Sequence, residues 1–203
     1  MSFREDIKLG KCRADKLFLG TNKGTEVTTT AAELNQLDGN IFSDMTPGIG
    51  ISAGTGTICE HNVTKIGGIY KTEILIDLTG LHGGGANDDI LGVDVGAANC
   101  HIGQITAAVN GTIIAGRIDV FEDMAGGDPD IDLYSATVAT GAQDTLVTAL
   151  DETQLCDSGD LAAGTPVYLT ALPAANEYLY LANGIFTDAA YSAGIILITL
   201  WGV

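Results

Sequence analysis

The chain has 203 residues, 46% of them hydrophobic and only 17% charged, with 27 glycines and a formal charge of −17. Such a composition suffices for one sizeable core and excludes a disordered chain, which needs low hydrophobicity. Residues 27–203 hold 22 acids against 3 bases, which repels phosphate backbones and excludes nucleic acid as an expected partner, whereas residues 1–26 hold 6 bases against 4 acids.

Residues 1–45 read as an extended N-terminal arm. Arg4, Lys8, Lys11, Arg13 and Lys16 give it a weakly basic character, and Ile7, Leu9, Leu17 and Leu19 suit short strand pieces against a neighbour. The first twenty residues alternate charge with apolar side chains and lack the apolar core of about 7–15 residues that a signal peptide carries. No secretion is expected. Val27–Gly39 has helical character, with the helix proper over 31–38. Thr30 and Glu33 have the spacing of a capping box, and Gly39 stands where a left-handed residue would end the helix. A helix this short is marginal alone, so Leu34 and Leu37 must dock on something.

Residues 46–203 read as one β-sandwich domain of strands and turns. Lys71–Leu78 alternates, with Thr72, Ile74, Ile76 and Leu78 on one face and Lys71, Glu73 and Asp77 on the other. Gln104–Val109, the dipeptide Asn110-Gly111 and Thr112–Phe121 predict a hairpin with a type I′ turn. Its second arm directs Ile114, Gly116, Ile118 and Val120 inward and Arg117 and Asp119 outward. Further strands are predicted over Ile131–Thr137, Pro166–Leu172, Tyr178–Leu181 and Ile195–Trp201. Short strands at this spacing predict an all-β, jelly-roll-like antiparallel β-sandwich.

The last strand is apolar on both faces: Ile195, Leu197, Thr199 and Trp201 on one, Ile196, Ile198 and Leu200 on the other. Two readings fit, a core strand covered on both sides or a strand at a subunit contact through Ile195, Leu197 and Trp201. The apolar run Ala193–Val203 is too short to span a bilayer, which takes ~20 residues, so no membrane partner is expected. Cys12, Cys59, Cys100 and Cys156 are dispersed without a CxxC pair and read as free, mostly buried thiols.

Val27–Gly39, V-T-T-T-A-A-E-L-N-Q-L-D-G, resembles the T-A-A-E-L-N-x-L-D-G motif of tail-fibre and other virion proteins of tailed bacteriophages. Lys71–Leu81 and Gly127–Tyr134 are similar to segments of structural proteins from marine phages. The resemblance implies a virion structural protein assembled in the bacterial host cytoplasm, and it carries no catalytic residues. One compact sandwich behind one arm, without shaft repeats, looks more like a capsid decoration (cement) protein than a fibre. Many decoration proteins are trimeric, so the implied partners are the major capsid protein and two further copies of the chain. On that reading Arg4, Lys8, Lys11, Arg13, Lys16, Leu34 and Leu37 form the capsid-binding arm. The alternative is a tail-associated adsorption protein that binds host surface glycans through Tyr168, Asn176, Tyr178, Tyr180 and Trp201.

Other constellations are weak. Asp128, Asp130 and Asp132 offer carboxylates two residues apart that could converge on calcium, but Leu133 and Ala139 stand where an EF-hand needs Gly and Glu. A solvated acidic turn is the plainer expectation. Cys59-Glu60-His61 and Cys100-His101 lack the close ligand pairs of structural zinc sites. His82-Gly83-Gly84-Gly85 matches the oxyanion loop of some esterases, but no G-x-S-x-G elbow accompanies it, so a flexible inter-strand loop is expected. No P-loop, dinucleotide fingerprint or paired acid–base constellation is present. Neither a cofactor nor an enzymatic activity is expected.

Overall fold

In the computed structural model, residues 17–19, 25–27, 45–93, 97–157, 159–185 and 189–203 are described. The chain divides into two compact units, Met1–Asn40 and Ile41–Val203. In the first, β1 (Leu17–Leu19) and β2 (Thr25–Val27) pair antiparallel, with Leu17 opposite Val27. Val27 thus belongs to a strand. The predicted helix over 31–38 and all seven proposed capsid-binding residues, Arg4, Lys8, Lys11, Arg13, Lys16, Leu34 and Leu37, lie outside the described residues.

The second unit is all-β and sandwich-like, built of two antiparallel sheets. The larger has the order β3 (Ile58–Ile66), β4 (Ile69–Asp77), β11 (Ala193–Gly202), β6 (Ile113–Ala125), β9 (Val167–Tyr168). The smaller has the order β5 (Gly103–Gln104), β10 (Tyr178–Asn183), β7 (Ile131–Ala136), β8 (Glu152–Cys156). Successive strands alternate between the sheets at most connections, the jelly-roll-like trait expected of the sequence. One apolar cluster holds the unit together, drawing Ile74, Ile76, Ile118, Ile196 and Ile198 from one sheet and Leu133, Leu155, Leu179 and Leu181 from the other.

Alternation sets which side chains enter that cluster. Thr72, Ile74, Ile76 and Leu78 are fully buried, as the pattern of β4 requires. Ile66 and Ile69 face each other across a two-residue turn, and Gly67 supplies its positive φ of 63°. On β11 the row Ile196, Ile198 and Leu200 is fully buried, while Ile195, Leu197 and Trp201 are half-buried on the outer face. The two-sided core reading of β11 is therefore corrected: one face enters the core, and on the other only Thr199 is buried while Ile195, Leu197 and Trp201 stay partly accessible.

The Asn110-Gly111 hairpin does not form. Ala107–Asn110 is a short helical turn capped by Thr106, whose hydroxyl accepts a hydrogen bond from the Val109 N–H at 3.3 Å. Gly111 adopts the expected positive φ, 70°, but as the residue that ends this turn. The deciding factor is Asn110 itself. Fully buried, it donates to Thr72 Oγ1 at 2.9 Å and Met45 Sδ at 3.2 Å, and its Oδ1 accepts from the Thr106 N–H at 2.8 Å. A hairpin would put that amide in solvent.

The inward set of β6 also needs correction. Gly116, Ile118 and Val120 are buried, but Ile114 is exposed and Ile113 takes its place. Opposite the β11 step Trp201–Gly202, β6 advances from Ala115 to Ile113, so Ile114 is the extra residue of a bulge that inverts the alternation. The strand expected over Pro166–Leu172 is reduced to Val167–Tyr168. The Leu169 N–H still donates to Gly116 O of β6; past it the backbone leaves that strand, and the N–H groups of Thr170 and Ala171 donate to Leu155 O of the other sheet.

Candidate functional site

Three places in the second unit gather chemistry-bearing side chains. The first is the outer face of the larger sheet. Register places Leu75, Leu197 and Asp119 in one row, Asp77 and Ile195 in the next, and Lys71, Trp201 and Ala115 in a third. Beyond residue 23 the chain has only Lys65, Lys71 and Arg117 as bases, and all three lie on this sheet. Lys71 pairs with Glu73 at 2.5 Å and Arg117 with Asp119 at 2.8 Å, while the Arg117 guanidinium lies 5.8 Å from the Trp201 ring centroid. Pairing neutralises Lys71 and Arg117 locally, while Asp77 and Glu122 flank Ile195, so Ile195, Leu197 and Trp201 lie within a mixed apolar and charged surface that Ile58 and Tyr168 extend, both exposed. The three residues singled out for a subunit contact therefore share one accessible face.

The second place holds the acidic run. The expectation of a solvated turn is wrong: Asp128, Asp130 and Asp132 are 3%, 8% and 4% exposed. Asp128 closes a local turn by accepting from the Asp130 N–H at 3.0 Å, and its other oxygen accepts from the Ile185 N–H at 3.0 Å. Asp132 accepts from Gln154 Nε2 at 3.1 Å. Asp130 lies against Gly184, where any Cβ would strike its carboxylate, and its Oδ1 is buried without a hydrogen-bond partner. Burial first, then the charges of Asp128, Asp157 and Asp160, push the Asp130 carboxyl above its ordinary value. Among the described residues no three His, Cys, Asp or Glu side chains converge so as to hold a metal ion. Asp128 and Asp132 serve backbone and side-chain donors here; no calcium ligation follows from their arrangement.

Nearby, the glycine-rich loop is tied down. His82 bridges both Gly92 and Ala190, the Gly84 N–H donates to Asn183 Oδ1 at 3.2 Å, and the Gly85 N–H donates to Asp144 Oδ1 at 2.7 Å. The loop expected to be flexible is a fastened connection.

The third place is a cavity of about 310 Å³ at the β5 edge of the smaller sheet, lined by Met45, Thr46, His101, Gln104, Thr106 and Tyr178, with Val109 completing the wall. The His101 and Tyr178 rings lie 4.9 Å apart between centroids, tilted by 57°. Burial, and then the neighbouring His61, lower the His101 pKa from its ordinary 6.5. Gln104 Nε2 donates to the Asn176 backbone oxygen at 3.1 Å. No family model, characterised protein or solved structure matches this chain.

Of the five residues proposed for glycan contact, only Tyr178 and Asn176 come near one another at this cavity. Tyr180 is fully buried, donating to Val138 O at 2.6 Å and accepting from the Gly141 N–H at 3.2 Å. Tyr168 and Trp201 belong to the other sheet. Sequence reasoning missed His101 and Gln104 as partners of Tyr178, because they meet only through the pairing of Tyr178 with Gln104 across β10 and β5. Of the described cysteines, Cys100 and Cys156 are buried and Cys59 half-buried, with burial pushing the Cys59 thiol to about 12 and that of Cys100 to about 11. Among the described residues no helix is long and apolar enough to cross a membrane.

Proposed function

We propose that the chain is a non-enzymatic structural component of a tailed-phage particle, a capsid decoration protein that acts as a homotrimer. Support comes from the Val27–Gly39 segment, from the basic leader that precedes it, and from the sandwich that follows. The observation that carries the reading is the outer face of the larger sheet. There Ile195, Leu197 and Trp201 form a half-buried apolar row beside the ion pairs Lys71–Glu73 and Arg117–Asp119, the mixture of apolar and polar groups that a subunit contact uses.

In this reading the leader lies on the capsid shell. Arg4, Lys8, Lys11, Arg13 and Lys16 meet acidic patches of the major capsid protein, and Leu34 and Leu37 bury apolar surface against it. Burial contributes about 25 cal/mol per Å² before ordering costs, whereas an exposed ion pair contributes about 0–1 kcal/mol. The leucines therefore dominate affinity and the bases set register and approach. Three arms on one trimer bind far more tightly than one, because the second and third contacts form at high effective concentration. The test is reconstitution of particles with a chain lacking residues 1–40. Decoration should be lost; full retention on the shell would refute the arm model.

A further inference from the structure

We propose that the cavity at the β5 edge of the smaller sheet is a binding site for the ring of a neutral saccharide. This goes beyond the decoration role and does not depend on it. At about 310 Å³ the cavity lies at the small end of the range of ligand pockets, about 300–1,000 Å³.

The lining decides the class of ligand. Among the described residues it contains no carboxylate and no cation, although the chain as a whole carries a formal charge of −17. An ionic ligand would have no partner for its charge in the wall. The polar groups present are neutral ones: the Thr46 and Thr106 hydroxyls, the Gln104 amide and the His101 imidazole. The His101 Nδ1 is buried without a hydrogen-bond partner in the protein. The lowered pKa of His101 keeps its ring neutral near pH 7, so it offers one donor and one acceptor.

These groups are also held in place. Gln104 is anchored through its Nε2 to the Asn176 carbonyl, and Thr106 Oγ1 accepts from the Val109 N–H, which leaves its own hydroxyl hydrogen free to donate. The tilted His101 and Tyr178 rings supply the apolar wall. Aromatic surface for the C–H face of a ring, ringed by neutral donors and acceptors for its hydroxyls, fits a sugar better than a lipid, a nucleotide or a metal ion. Thr46 is exposed, so the cavity has an entrance on the protein surface.

The test is saturation-transfer NMR on the full chain with methyl glucoside, methyl galactoside, N-acetylglucosamine and N-acetylneuraminic acid. At least one neutral sugar should bind the wild type, with a Kd of about 1 mM for a single ring. Tyr178→Ala and Gln104→Ala should each weaken it at least about tenfold, while Tyr168→Ala, on the other sheet, should bind as the wild type does. Thermal melts establish that each variant is folded. Should Tyr178→Ala fail to fold, Gln104→Ala and the shift of the His101 imidazole resonances on titration carry the test. Absence of binding by every neutral sugar overturns the proposal. So does unchanged binding by Gln104→Ala with no His101 shift, or a preference for the anionic sugar.

Discussion

Removing the side chain of Asn110 is expected to destabilise the sandwich by about 2–4 kcal/mol. The residue is fully buried, and Asn110→Ala breaks three contacts at once: the 2.9 Å bond to Thr72 Oγ1, the 3.2 Å contact with Met45 Sδ and the 2.8 Å bond from the Thr106 N–H. Thr72 is also fully buried, so its hydroxyl loses its partner in a place water does not reach. A buried polar group left unpaired costs about 1–3 kcal/mol, and the vacated volume adds to it. Urea denaturation followed by the fluorescence of Trp201, the only tryptophan, reads the change directly. The double variant with Thr72→Val supplies the internal check. With both partners gone no orphaned hydroxyl remains, so the double variant should lose less than the sum of the two singles by about 1 kcal/mol. A loss below about 0.5 kcal/mol in Asn110→Ala, or strict additivity, would refute the claim that this amide fastens β4 to the Thr106 turn.

Three other outcomes follow from the same geometry. Asp130→Asn keeps the shape of a carboxylate that burial and three acidic neighbours disfavour, and should raise stability at pH 7 by about 1 kcal/mol in urea melts; a loss of that size would contradict the reading. His61 and His101 titrate below 6.5 in the folded chain, so above 6.5 they contribute no pH dependence, and as pH falls below it the unfolded chain takes up protons that the folded one does not. Wild type should therefore lose stability relative to His101→Gln between about pH 6.5 and 5, and parallel curves would refute the assignment. Leu197→Glu puts a charge in the middle of the outer face of β11 and should convert a trimer to monomers in sedimentation velocity, with the far-ultraviolet spectrum unchanged; an intact trimer would exclude this face as the contact.

The alternation of β4 and of β11 was legible because a strand packed on one side leaves a period-two record, and Thr72, Ile74, Ile76 and Leu78 lie where that record puts them. The hairpin β3–β4 carries its own signal, Gly67-Gly68 between Ile66 and Ile69. Asn110-Gly111 misled because a turn dipeptide specifies local backbone and says nothing of a buried amide's distant partners, Thr72 and Met45. The bulge at Ile114 was hidden for a similar reason, since its cause is the register against β11, some eighty residues away. Burial of Asp128, Asp130 and Asp132 could not be read from a run of acids, because what covers them comes from other segments: the donors Ile185 to Asp128 and Gln154 to Asp132, and Gly184 against Asp130. The cavity belongs to the same class. His101, Gln104 and Tyr178 are unremarkable in sequence and meet only once β5 pairs with β10.

The central claim, that this chain decorates a capsid as one of many identical copies, is tested most directly by its stoichiometry. Quantitative mass spectrometry of purified particles, with the major capsid protein as internal standard, should return a copy number in fixed proportion to the capsid lattice and divisible by three. A copy number equal to that of tail components, or absence from the particle, would contradict it.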